Sequence, residues 1–138
     1  MKIKNLTLSF VALILLTSAS KVTKTQHDIS EKLIGTWIWK TVLDGESNKD
    51  LGLDVITMGM ASEVKTEFKT DNSYIESKMR KGSDEYSQTT GEWKIENNET
   101  LNLKSRDKWR PSKILKITTD SLLLQMNPKM YLLMIKQK

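Results

Sequence analysis

The sequence contains no cysteine and a single histidine. The first absence excludes a disulfide scaffold, a thiol nucleophile, a thiolate-ligated zinc site and a lipid-modified cysteine. The second excludes a histidine-rich metal centre. Charge of one sign is also in short supply, with 22 Lys+Arg against 17 Asp+Glu and a net charge of +5. With 28% charged and 38% hydrophobic residues, the 138-residue chain has the makeup of one ordinary folded domain. Catalytic signatures are missing too. There is no Gly-x-Ser-x-Gly elbow, phosphate loop, His-Glu-x-x-His helix or Cys-His pair. Carboxylates can always be paired on paper, as with Glu76 and Glu92 or Asp84 and Glu85, but nothing in the sequence puts such a pair in a cleft. The stretch Asp44-Gly45-Glu46 to Asn48-Lys49-Asp50 has oxygen ligands without calcium-loop spacing. The expectation is a protein without metal or cofactor, and not an enzyme.

No apolar run is long enough to span a bilayer, which takes about 20 residues. The run Phe10 to Leu16 is short, is preceded by Lys2 and Lys4, and is followed by small residues at Thr17-Ser18-Ala19-Ser20. That order reads as a signal peptide over residues 1–20, and hence as an exported, periplasmic or secreted protein with no stable membrane span after cleavage. Once Lys2 and Lys4 are removed the charge falls to +3. So small an excess, with both signs interleaved, argues against nucleic acid as a partner. Residues 21–31 are polar and read as a flexible leader, with a helical turn near Ile29 to Leu33. His27 lies there with no second His or Cys to complete a site.

From Lys32 to Lys138 the dominant period is two. Leu33, Gly35, Trp37 and Trp39 share one face of a first strand. Val64 to Lys69 alternates, and Thr70-Asp71-Asn72-Ser73 supplies turn chemistry before a return strand from Tyr74 to Arg80. Further strands are expected over 85–95, 101–104, 112–118, 122–126 and 130–136, most of them joined by short loops. Short loops connect antiparallel neighbours, because parallel ones need long crossovers. The predicted fold is therefore all-β: an eight-stranded antiparallel up-and-down barrel, favoured over an open sandwich because closure removes exposed edges. The one long connection, residues 42–62, places Leu51, Val55 and Met58 at helical spacing, as it does Leu53, Ile56 and Met60, with interruptions at Gly52 and Gly59. A short helix or lid over residues 51–60 and an irregular buried loop both fit that pattern.

Leu33-Ile34-Gly35-Thr36-Trp37 carries the Gly-x-Trp pattern found near the start of lipocalin barrels. It is followed in order by a Phe68 to Tyr74 hairpin, Gly91-Glu92-Trp93-Lys94-Ile95, Leu101-Asn102-Leu103, Ile117 to Leu124 and Tyr131 to Lys136. Over residues 32–136 the chain resembles the small bacterial lipocalin-like domains of exported proteins. The resemblance implies a small apolar ligand inside the barrel and a basic residue packed on Trp37. Lys136 stands where the family usually has arginine. An eight-stranded barrel either fills with side chains or holds one small ligand. The inward set read from alternation is Trp37, Trp39, Phe68, Trp93, Leu101, Leu103, Leu122, Leu124 and Met126, with Tyr131, Leu133 and Ile135 added from the last strand.

The primary expectation is binding of a small hydrophobic molecule through Trp37, Trp39, Met58, Phe68, Trp93, Leu103, Leu124 and Met126. The alternative is an interaction module, an inhibitor or accessory subunit, with a filled barrel. It would recognise a protein partner through a 104–110 loop in which Trp109 lies between Lys108 and Arg110. Lyase or isomerase chemistry on a bound ligand ranks third, for want of a matched acid–base pair.

Overall fold

The computed structural model describes residues 27–138. The expected signal segment and residues 21–26 of the leader lie outside the described residues. A helix, α1, covers residues 27–33 and takes in the turn expected near Ile29 to Leu33. Eight strands follow: β1 (Gly35–Asp44), β2 (Ala61–Phe68), β3 (Ser73–Arg80), β4 (Tyr86–Glu96), β5 (Thr100–Ser105), β6 (Lys108–Ile117), β7 (Ser121–Asn127) and β8 (Met130–Lys136). Each pairs antiparallel with its chain neighbour, and β8 pairs with β1 to close the barrel. The first and last strands meet along most of their length, from Trp37↔Lys136 to Asp44↔Met130.

Turn chemistry accounts for the connections. The β4–β5 turn runs through Asn97 and Asn98 at φ 53° and 59°, the left-handed pair a tight hairpin requires and asparagine tolerates. Arg106 and Asp107 make the β5–β6 turn in the same conformation, at φ 51° and 62°. The segment 104–110 is therefore not the loop the charge pattern suggested. Only two residues lie outside strands, and Trp109 sits on β6 opposite Lys104 of β5.

Four strand pairs carry a one-residue irregularity, between Trp39/Thr41, Ala61/Glu63, Ile114/Lys116 and Gln125/Asn127. A bulge inserts a residue and reverses which parity faces inward. In β1 it changes the inward set from Trp37 and Trp39 to Val42. On β8 the register places Lys136 opposite Trp37 and Met134 opposite Trp39, so Leu132 and Met134 face the interior. Tyr131, Leu133 and Ile135 take the outer face, which corrects the inward assignment made from an apolar run lacking alternation.

The core holds Leu33, Trp37, Phe68, Trp93, Leu101 and Leu122 among its buried members. Between β1 and β2 a single helical turn, α2 (Asp54–Thr57), is followed by Met58 in the left-handed conformation. Leu51, Leu53 and Ile56 pack on the core, while Val55, Met58 and Met60 are exposed. No helix among the described residues is long and apolar enough to cross a membrane.

Candidate functional site

The two barrel ends are built differently. At one end α1 leads into β1, and the chain finishes on β8 beside it. Trp37 is fully buried there, with its indole N–H donating to the Leu33 carbonyl at 2.8 Å. The Lys136 ammonium lies 5.2 Å from the Trp37 ring centroid and donates to the Lys32 carbonyl at 2.8 Å. Gly35 makes this possible. Its φ is +125°, and a Cβ there would come within 2.8 Å of Lys136 Cε. The cation on the indole face is the contact the lipocalin pattern implies, made here by lysine.

Trp93 closes the next layer. It packs edge-on against Phe68 with centroids 5.9 Å apart, and its N–H reaches the Lys69 carbonyl at 3.1 Å. These two tryptophans fill the closed half, and neither lines the cavity above them. Above them the interior is open: a cavity of about 310 Å³ is lined by Trp39, Phe68, Leu103, Leu124 and Met126 from the expected set. Leu132 and Met134 of β8 complete its apolar wall. The Trp39 indole N–H is held by Thr66 Oγ1 at 2.9 Å, which fixes the ring at the cavity wall. Met58 lies elsewhere, 78% exposed beside a shallow depression with Ile56 and Met60. No residue of 51–60 lines the cavity.

The upper wall is polar, which reading the sequence for apolar alternation missed. Tyr74, Glu76 and Lys78 of β3 all line the cavity, as do Arg106 in the β5–β6 turn and Arg110 on β6. Glu76 and Lys78 pair at 3.0 Å. Burial pushes the Tyr74 phenol above its ordinary pKa and the Glu76 charge adds to the shift, while Ser105 and Arg110 oppose it. Alternation carried inward from the Phe68 to Tyr74 hairpin would have found Tyr74, Glu76 and Lys78. The same step applied from Trp37 to Lys136 would have found Met134 and Leu132.

Trp109 points away from this cavity. It is 37% exposed on the outer barrel wall, with the Lys94 and Lys104 ammonium groups 4.3 Å and 5.7 Å from its ring. Among the described residues no three metal-ligating side chains come together.

Comparison with known proteins agrees with this geometry. A crystallised lipocalin-like protein from Bacteroides uniformis ATCC 8492 superposes with a TM-score of 0.61 at 11% identity, over 77% of this chain and 99% of that one. An uncharacterised protein from Bacteroides eggerthii DSM 20697 gives 0.58 at 13% identity, over 76% and 99%. Identities this low show the shared fold alone. No curated protein matches the sequence. The family model described as a lipocalin-like domain matches residues 33–124, from the start of the Trp37 plug to the Leu124 cavity wall, and the chain belongs to that family.

Proposed function

We propose that the chain is an exported binding protein that holds a small hydrophobic molecule noncovalently inside the barrel. Support comes from the open interior: about 310 Å³ walled by Trp39, Phe68, Leu103, Leu124 and Met134. A void of that size falls at the lower end of small-molecule pockets, about 300–1,000 Å³. The bulk that could have filled the barrel is spent elsewhere. Trp37 and Trp93 are buried in the closed half, and Trp109 lies outside. Apolar burial then supplies about 25 cal/mol per Å², less the cost of ordering the ligand.

A lipocalin-like fold is typically that of a binding protein, and the cavity wall holds one carboxylate, Glu76, already paired with Lys78. Export rests on the order of charge, apolar run and small residues over Met1 to Ser20.

Tryptophan fluorescence titrated with a panel of apolar probes tests the binding. Trp39 lines the cavity, so saturable quenching or a spectral shift is expected, and Trp39→Phe should remove most of it. A flat response across the panel overturns the reading. Fractionation with N-terminal sequencing tests export, which predicts a mature chain beginning near Lys21; an uncleaved protein inside the cell refutes it.

A further inference from the structure

We propose that the molecule held in the barrel is an anionic amphiphile, with its apolar body among Trp39, Phe68 and Leu124 and its charged head at Arg110 and Arg106. This rests on the cavity being a binding site, and it adds a chemical class. Four charged side chains line the cavity: Glu76, Lys78, Arg106 and Arg110. Glu76 and Lys78 neutralise each other at 3.0 Å. Among the described residues neither Arg106 nor Arg110 forms an ion pair. Two positive charges are thus left over at the polar end of a hollow whose other wall is formed by Trp39, Phe68, Leu103, Leu124, Leu132 and Met134.

Placement strengthens the case. Arg110 faces inward from β6 opposite Leu103, one inward position above Ser112. Arg110 and Ser112 therefore continue the polar side of the cavity wall along β6. Arg106 reaches the same side from a two-residue turn whose left-handed φ of 51° suits asparagine or glycine, not arginine. The two-residue hairpin imposes that conformation, and the arginine it carries is among the residues lining the cavity. A guanidinium presents paired N–H donors that match the two oxygens of a carboxylate, or those of a sulfate or phosphate. Low-dielectric walls beneath concentrate its field at the mouth. A neutral ligand would leave these donors to water. A cationic head would meet net repulsion.

Isothermal titration of the full domain with decanoate, decanol and decylamine separates the possibilities. Decanoate should bind about tenfold more tightly than decanol, the worth of one charge-assisted hydrogen-bonded pair, and decylamine more weakly than either. Added NaCl should weaken decanoate alone. Arg110→Gln should bring the decanoate-to-decanol ratio towards one, with folding checked by circular dichroism. The wild-type ratio and its salt dependence decide the matter even if that variant fails to fold. Equal affinity for decanoate and decanol, or preference for decylamine, overturns the anionic assignment while leaving the cavity as a binding site. Saturable binding of none of the three overturns both.

Discussion

Gly35→Ala is the sharpest test of how the closed end is held. The residue sits at φ +125°, a conformation that L side chains rarely adopt, and the new Cβ would lie 2.8 Å from Lys136 Cε. Forcing a non-glycine residue into such a region costs about 1–3 kcal/mol. The collision also drives Lys136 from both its contacts, the Trp37 ring at 5.2 Å and the Lys32 carbonyl at 2.8 Å. A half-buried cation on an indole contributes about 1 kcal/mol, and a charged hydrogen bond about 1.5 kcal/mol. Burial of the ammonium, which lowers the Lys136 pKa, offsets part of that. The expected total is about 4 kcal/mol, or about 15 °C in Tm for a domain of this size. Urea unfolding followed by circular dichroism measures it directly. Lys136→Met, which keeps much of the stem, should cost about 2 kcal/mol on the same contact values. The double variant should cost little more than Gly35→Ala alone, because the first substitution has already expelled the lysine. Strict additivity, or a Gly35→Ala protein within about 1 kcal/mol of wild type, would falsify the idea that the glycine exists to admit Lys136.

Three further outcomes are expected. Leu103→Trp adds bulk to the wall opposite Arg110, so probe titration should lose its saturable phase while the unfolding midpoint stays within the range of a tolerated core change, about 1–3 kcal/mol. Gly91→Ala should destabilise strongly, because its Cβ would come within 2.0 Å of the Lys104 carbonyl oxygen and 2.6 Å of the Tyr74 ring; a normally stable variant in chemical denaturation would refute that packing. The Asp50 carboxylate accepts from the Thr41 hydroxyl and the Gly52 N–H, and these bonds lower its pKa. Its contribution is therefore full above the ordinary aspartate value of about 3.9 and lost as pH falls through the lower folded value. Acid titration of Asp50→Asn should accordingly show a shallower loss of stability below that point than wild type, and an identical acid limb would contradict it.

The barrel was legible because its strands alternate and its turns are short. Val64 to Phe68 and Trp93 to Leu103 needed nothing beyond period two and the left-handed tolerance of Asn97-Asn98. The closed end was legible because Gly35 and Trp37 each have one physical use there, while the place of Lys136 on the indole came from the lipocalin resemblance. Two things were hidden. The parity of β8 could not be read from Met130 to Ile135, where apolar residues occupy both faces; only pairing with a bulged β1 decides it. The polar rim was hidden because Glu76, Lys78 and Arg110 resemble solvent-facing charges in one dimension. Strand parity turns them inward, and the openness of the barrel at that height lets their charged heads face the cavity while staying hydrated. Trp109 shows the converse. An aromatic between Lys108 and Arg110 looks like a loop anchor, yet the two-residue turn at Arg106-Asp107 commits it to a strand and to the lysines of β4 and β5.

Register explains how a molecule could reach the interior without a lid. In the closed half every neighbouring pair is laced, but three ladders stop short of the open end. β1 meets β2 only from Gly35 to Ile38, β5 meets β4 only as far as Glu92↔Lys104, and β7 meets β6 only from Lys113 onward. Loop residues 50–52 take up part of the free β1 edge through Leu51 and Gly52, which bond to Val42. The edge of β4 from Tyr86 to Thr90 keeps only its β3 partner. Thr89 lines the cavity on one side of that gap, and Ser105 and Arg106 line it on the other. A molecule passing between them breaks no backbone ladder, so entry need not wait on the opening of hydrogen bonds. The absence of any residue of 51–60 from the cavity wall fits the same arrangement. A barrel laced at one end and unlaced at the other can keep a rigid Trp37 plug and an accessible hollow together, because each of these partial ladders is paired at the closed end, as Trp37↔Thr66 is between β1 and β2, and free only towards the mouth.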